Sequence, residues 1–337
     1  YDALTEDQQS ALTGAEKMIA ILKWSNEQVA LAANEDLSSH TNHDDWTAIS
    51  TEADLTGITA AGYYYLTKDV TIGNTWIPVD GVTLCLNGNS ITATGKFNAI
   101  TIQDGRTFTL CDCKVGQTGK VTHGKDANNA TFTGCGVYVN GTFNMYGGSI
   151  AGNTVATKGG GVTVEGGTFN MYGGTIKDNT AKNGGAFFST TGGTINMTGG
   201  TISGNTATMN SNDAGGGAIY MRGNGKIDIS GSAQITGNSS SLDGGAILMG
   251  WGEINISGSA KINSNTASRW GGAICLRQDS NQSTTLCMRG GEISDNKANS
   301  EGGAVHVLDK DCQFFLYDGK ITRNTSGDGG AIYLNQE

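Results

Sequence analysis

An all-β parallel β-helix, with three strands per coil, roughly nine or ten coils and an N-terminal α-helix, is the fold this sequence predicts. Three observations predict it. The first is a repeat: "TIKDNTAKNGGAFF" (175–188) returns as "TISGNTATMNSNDAGGGAIY", "QITGNSSSLDGGAIL" and "KINSNTASRWGGAIC". Its Asn recurs at Asn153, Asn179, Asn205, Asn238, Asn265, Asn296 and Asn324, with gaps of 26, 26, 33, 27, 31 and 28 residues. A glycine pair recurs with it, beginning at Gly159, Gly184, Gly216, Gly244, Gly271, Gly302 and Gly329. The second is what each unit holds: three short runs, for example "GVTVEG", "TFNMYGG" and "TIKDN", each alternating apolar and polar residues as a half-buried strand does. The third is composition. Glycine supplies 53 of 337 residues against a single proline, which suits many tight turns and excludes collagen.

Taken in order, "LTEDQQSALTGAEKMIAILKW" (4–24) predicts the helix, with Thr5 as N-cap and Gln8 in the capping-box position. Leu12, Ala15, Ile19 and Leu22 recur at helical spacing, and the segment would cap the open end of the coils or close an upstream domain. Residues 25–45 read as a connection, so residues 1–45 form one segment and 46–337 the β-helix. "GYYYLTKDVTI" (62–72) enters the first strands, and "VTLCLNGNSIT" (82–92) and "FTLCDCKVGQTGKVT" (108–122) extend the series. Coils stack at about 4.8 Å, so each repeat position becomes a column. The Asn column predicts a ladder of side-chain amides in a turn that tolerates left-handed backbone. The glycine pair predicts a corner that needs φ freedom. Val162, Phe187, Ile219, Ile247, Ile274, Val305 and Ile332 point inward. Helical repeats lack the required periodicity here, and propeller blades are longer.

Net charge is −10 without a Lys/Arg cluster, which argues against a nucleic-acid partner. No apolar run reaches the roughly 18 residues of a membrane span. The chain opens on Tyr1 and stops at "AIYLNQE" after a strand-like run, which predicts a piece of a longer chain. The seven cysteines (Cys85, Cys111, Cys113, Cys135, Cys275, Cys287 and Cys312) cannot all pair internally. Cys111-x-Cys113 is too close for zinc-finger spacing and shows no partner pair nearby, so small buried cysteines are expected, with no metal and no cofactor.

"DDWTAIS" (44–50), "GYYYLTKDVTI", "VTLCLNGNSIT", "FTLCDCKVGQTGKVTHG" and the repeated "GTFNMYGGSIAGNT" units resemble the right-handed parallel β-helix regions of adhesin-like cell-surface proteins of Gram-positive gut anaerobes. The resemblance covers roughly residues 44–337. It implies a right-handed coil, an extracellular, wall-attached setting and other domains in the parent chain. It also implies surroundings in which unpaired cysteines persist outside the cell.

The last coils carry Trp, Arg and acidic residues where regular repeats show small polar ones. Immediately before the glycine pairs stand Lys158, Asn183, Gly215, Asp243, Trp270, Glu301 and Asp328. The outward position of the following strand holds Tyr138, Thr163, Phe188, Tyr220, Leu248, Cys275, His306 and Tyr333. The next loop adds Arg222, Trp251, Arg277, Asp279 and Asp309. Rings beside carboxylates suit sugars, because the ring stacks on a pyranose face while the carboxylate accepts its hydroxyl hydrogens. The expected glycan-binding face therefore comprises Tyr220, Asp243, Trp251, Trp270, Arg277, Glu301, His306, Asp309, Asp328 and Tyr333, with glycans or host glycoproteins as partners. Packing alone also explains outward rings in a strand column. Three functions stay open: a non-enzymatic adhesin-like module, a glycoside hydrolase using acids among Asp243, Glu301 and Asp328, and a spacer. Stacked acids one or two coils apart meet the carboxylate separations of retaining or inverting hydrolases. Ice binding is disfavoured by Ser239 and Lys297, which interrupt the Thr154, Thr180, Thr206, Thr266, Thr325 column. The repeat length excludes a nonapeptide calcium-binding roll.

Overall fold

The computed structural model describes residues 37, 40, 42–124, 133–156, 158–209, 215–279 and 282–335. The helix expected over residues 4–24 lies outside them. What they form is a parallel β-helix, and strands pair only with the coil before and the coil after. One face is a nine-stranded ladder running from Ile100–Ile102 to Ile332–Leu334. Two further faces join into one sheet because Thr284–Ser294 serves both. Its first half pairs with Gly252–Ile256 and its second half with Lys261–Asn263. Register is strict: Thr142, Phe143, Asn144 and Met145 face Thr168, Phe169, Asn170 and Met171, which in turn face Thr194, Ile195, Asn196 and Met197.

Alternation does what the sequence predicts. Phe143, Met145, Phe169, Met171, Ile195 and Met197 point inward and are buried. Stacking identical positions also lines up rings through the interior: Trp76, Phe108, Phe143, Phe169 and Phe187 follow one another at 5.0 to 5.6 Å. On the outside of the same strands Asn196 donates to Asn170, and Asn170 to Asn144, each at 2.8 Å. One short helix, Glu52–Thr56, follows the first strand, Thr47–Ile49. Thr51 and Asp54 form its capping box, and its one buried side chain, Leu55, enters the core.

The asparagine column is a continuous buried ladder. From Asn153 to Asn324, each Nδ2 donates to the Oδ1 of the next at 2.8 to 3.0 Å, and each backbone N–H donates to the same oxygen. His123 heads it, its backbone N–H donating to Asn153 Oδ1 at 2.9 Å. One detail differs from expectation. The left-handed backbone belongs not to the Asn but to the residue before it: Gly152, Asp178, Gly204, Gly237, Ser264, Asp295 and Arg323, all with φ between 55° and 69°. A short fourth ladder follows, formed by Thr180–Ala181, Thr206–Ala207, Ser239–Ser240, Thr266–Ala267 and Lys297–Ala298. The first glycine of each pair then turns the chain into the next coil with φ between 59° and 67°.

Candidate functional site

Both predicted columns exist. Lys158 bridges to Asn183, Gly215 to Asp243, Trp270 to Glu301, and Glu301 to Asp328. The ring column runs Tyr138, Thr163, Phe188, Tyr220, Leu248, Cys275, His306, Tyr333, in the order expected. Its exposure does not follow. Phe188, Tyr220, Leu248, Cys275 and His306 are buried, although they point away from the main core. The left-handed first glycine folds the preceding residue back over the outer side of the strand it introduces. Trp270 thereby packs on the Phe188, Tyr220, Leu248 and Cys275 cluster, and the Lys158 ammonium sits 4.7 Å over the Phe188 ring. The two columns cover one another as a second, outer core.

The polar candidates are held within it. Asp243 is 1 % exposed and accepts from Nε and Nη2 of Arg269, at 2.7 and 2.5 Å, while that guanidinium lies 3.9 Å over the Trp270 ring. Arg277 is buried and donates to Tyr220 Oη at 3.2 Å. Asp309 accepts the backbone N–H of Gln278 at 2.6 Å, and Asp279 pairs with Arg222 at 2.9 Å. Half-buried Glu301 lies 2.9 Å from His306 Nε2. Asp328 is exposed at the last corner. Trp251 is half-buried at the other end of its strand, in the turn between Ile247–Met249 and Gly252–Ile256. Seven of the ten, Tyr220, Asp243, Trp270, Arg277, Glu301, His306 and Tyr333, thus join around Trp270 and His306, while Asp328 follows Glu301 at the exposed last corner and Trp251 and Asp309 lie in the loops after their strands. The expected open face is corrected to this extent: Tyr220, Asp243, Arg277 and His306 are inside the protein, because a corner that reverses the chain must lie on the strand that follows.

His306 has the most unusual surroundings. Its ring is fully buried between Trp270 and Tyr333, at 5.1 and 5.2 Å, with planes 11° and 10° from parallel. Nε2–H donates to Glu301, and among the described residues Nδ1 has no hydrogen-bond partner. Burial holds its pKa below the ordinary 6.5, outweighing the opposing hydrogen bond and charge of Glu301. A base whose pKa falls on folding stabilises the fold above its unfolded value and loses that contribution as pH drops through the folded value. Wild-type protein should therefore lose stability below about pH 6.5, and His306→Phe should flatten that part of the curve in pH-dependent melting.

A second constellation was missed by the sequence reading. Cys85 ends the strand Val82–Cys85 and lies in register with Cys111 on the next coil. The turn after Cys111 is held by buried Asp112, whose carboxylate accepts the backbone N–H groups of Gly88 and Gly119 at 2.8 Å. That turn returns Cys113 Sγ to 3.4 Å from Cys85 Sγ. His40 and His43 arrive from the segment before the first strand, and one nitrogen or sulfur from each of the four residues lies within 4.8 Å of the rest. Hydrogen bonds from the Cys111 thiol, from His43 and from the Cys113 N–H draw the Cys85 thiol down to about 4. Burial and the neighbouring Cys85 charge push Cys113 up to about 12. Cys111-x-Cys113 was the visible motif, but Cys111 is not among the four; its thiol sulfur lies beside Cys85 and 3.7 Å from the Leu84 carbonyl. The legible signals were His40-x-x-His43 and the one-coil offset of 28 residues between Cys85 and Cys113.

Comparisons with protein families, with curated proteins and with solved structures return no match. Among the described residues no helix is long and apolar enough to cross a membrane.

Proposed function

We propose that this chain is a non-enzymatic, adhesin-like module of an extracellular bacterial surface protein, and that it holds an extended glycan along the axis of its coils. The observation that carries this reading is an open groove at the turn between the first two faces. Its floor is glycine: Gly166, Gly193, Gly225 and Gly252, the last three in register on consecutive coils. Its rim is polar, formed by Thr191, Thr194, Asn224, Lys226 and Glu253. At Gly166 a Cβ would meet nothing within 4 Å, so backbone there is open to a chain-like ligand, whereas at Gly193, Gly225 and Gly252 it would meet Val164, Met221 and the Gly225 carbonyl, so close packing demands glycine at those three. The rim offers donors and acceptors to hydroxyls at every coil, about 4.8 Å apart. Trp251, next to Gly252 in the chain, is the ring proposed to stack on a sugar face.

The hydrolase reading has less support, because two of its three candidate acids are engaged elsewhere. Asp243 is paired on both oxygens with Arg269, and Glu301 accepts from His306. A pair of working carboxylates needs one free to hold a proton and one facing substrate.

The test is retention and cleavage of mucin-type, milk and plant oligosaccharides by the purified chain, followed by mass spectrometry. Retention without cleavage is expected. Trp251→Ala with Lys226→Ala should weaken it at least about tenfold, the loss of one good contact. Cleaved product would replace the adhesin with the hydrolase. Unchanged retention in the double variant would move the site off the groove, and absence of retention in wild type leaves a spacer.

A further inference from the structure

The four residues His40, His43, Cys85 and Cys113 carry an inference independent of the glycan groove. Three of their six mutual distances lie within about 0.4 Å of a zinc tetrahedron's edges, and all four ligand atoms lie within 4.8 Å of one another. Bonds of about 2.3 Å to sulfur and 2.0–2.1 Å to nitrogen require about 3.8 Å between two sulfurs, about 3.6 Å between sulfur and nitrogen, and about 3.3 Å between two nitrogens. The structure has 3.4 Å between the Cys85 and Cys113 sulfurs, 3.6 Å from Cys113 Sγ to His43 Nε2, and 3.2 Å between the two Nε2 atoms. The same sulfur pair is well outside the roughly 2.05 Å of a disulfide.

The surroundings orient the ligand atoms. His40 Nδ1 lies 3.1 Å from the Leu37 carbonyl, which can only accept, so Nδ1 carries the proton and Nε2 presents a bare lone pair to the cluster. The His40 ring stacks on Trp46 at 4.7 Å, and the His43 ring on Tyr65 at 4.1 Å and 6°. Both imidazoles are thus fixed by aromatic packing. Cys85 Sγ accepts the backbone N–H groups of Asn87 and Cys113 at 3.3 and 3.4 Å, an arrangement that suits a sulfur bearing negative charge. Two imidazole nitrogens at 3.2 Å with two sulfurs beside them are accounted for by a shared cation. Asp112, the nearest buried acid in sequence, is directed at backbone N–H groups and completes the turn that presents Cys113.

We infer that His40, His43, Cys85 and Cys113 form a structural site for one divalent metal ion of the zinc class. Two soft thiolates with two imidazoles in tetrahedral array select zinc over magnesium or calcium, and four protein ligands leave no position open for chemistry. The site joins three parts of the chain: the segment before the first strand, the strand Val82–Cys85, and the turn after Thr107–Cys111. Its effect is to pin the histidine segment against two stacked coils.

The experiment uses the purified full chain, freed of metal under reducing conditions and titrated with Zn2+ and, separately, Co2+. One zinc ion per chain is expected by elemental analysis. Co2+ should give the intense visible bands of a tetrahedral site together with a thiolate charge-transfer band. Zinc should raise the melting temperature, and a chelator should reverse the rise. Cys113→Ser and His43→Ala should each weaken zinc binding at least about hundredfold, whereas Cys111→Ser and Cys135→Ser should leave one ion per chain. Should the ligand variants fail to fold, zinc protection of Cys113 from alkylation in the wild type supplies the same answer. No bound zinc, cobalt spectra lacking a tetrahedral signature, or a Cys85–Cys113 disulfide persisting under reduction would overturn the inference. Glycan retention is read separately, so failure here leaves the groove untouched.

Discussion

Gly245→Ala should destabilise the β-helix by at least about 3 kcal/mol, at the upper end of what overpacking costs. Gly245 is the second glycine of its pair. A methyl group there would stand 2.1 Å from the Gly272 carbonyl oxygen and 2.7 Å from Thr266 backbone atoms on the next coil. The obstruction is backbone on both sides, so no side chain can swing away. Relief requires separating two coils and breaking the ladder bonds between them. Gly217 and Gly272 repeat the situation, 2.2 Å from Gly245 and Gly303 carbonyls respectively. The control is Gly237, which has φ of 64° but nothing within 4 Å of its would-be Cβ. Asp178, Ser264, Asp295 and Arg323 occupy the same corner of other coils at φ of 55° to 58°. Gly237→Asp should therefore cost less than about 1 kcal/mol. Denaturant unfolding of the two variants side by side checks the pair. Equal losses would show that backbone conformation, not coil spacing, explains the glycine columns.

That contrast also explains which parts of the molecule were legible in the sequence. A column is visible when stacking demands one residue type at every coil. The buried amide ladder demands Asn, the close coil contact demands glycine at Gly245 and its equivalents, and the interior demands Ile219, Ile247 and Ile274. Where stacking demands only a backbone conformation, residue types scatter. The left-handed corner accepts Gly, Asp, Ser and Arg, so its position could not be read, and the neighbouring Asn was credited with it. His123 at the head of the ladder broke the pattern in the same way. The ring column around Tyr220 and His306 was placed correctly but read as exposed. Alternation tells which side of a strand a residue occupies, not what the chain lays over that side later. For the four metal-site residues, sequence showed only Cys111-x-Cys113 and His40-x-x-His43. Pairing Cys85 with Cys113 needs the coil register and the turn that Asp112 closes.

Asn238→Leu should be strongly damaging although it creates no clash, costing about 1–3 kcal/mol. Asn238 is 1 % exposed. Its Oδ1 accepts from Asn205 N and Nδ2 at 3.0 and 2.9 Å, and its Nδ2 donates to Asn265 Oδ1, Ile202 O and Thr236 O at 3.0 to 3.2 Å. An apolar side chain of similar size leaves the buried backbone N–H of Asn205 without its acceptor and takes one of three acceptors from Asn205 Nδ2, which keeps Ile176 O and Ser203 O; a buried group left unpaired costs about 1–3 kcal/mol. Asn238→Asp keeps the acceptor and loses the donors, setting a carboxylate oxygen against Asn265 Oδ1 and two carbonyls. Its pKa must then rise on folding, because only the protonated acid can donate to them. A group of that kind is least harmful below its unfolded pKa of about 3.9, and the loss grows as pH rises through the folded value. Asn238→Asp should therefore recover part of its stability in acid, while Asn238→Leu should not. The position of the break matters as much as its size. Each coil touches only its neighbours, so stability in a solenoid is a chain of nearest-neighbour terms. A weak link in mid-ladder should divide one thermal transition into two, with hydrogen exchange rising on both sides of Asn238 before it rises at Asn153 or Asn296. A single sharp transition with a loss below about 1 kcal/mol would mean that the ladder follows the coils and does not hold them together.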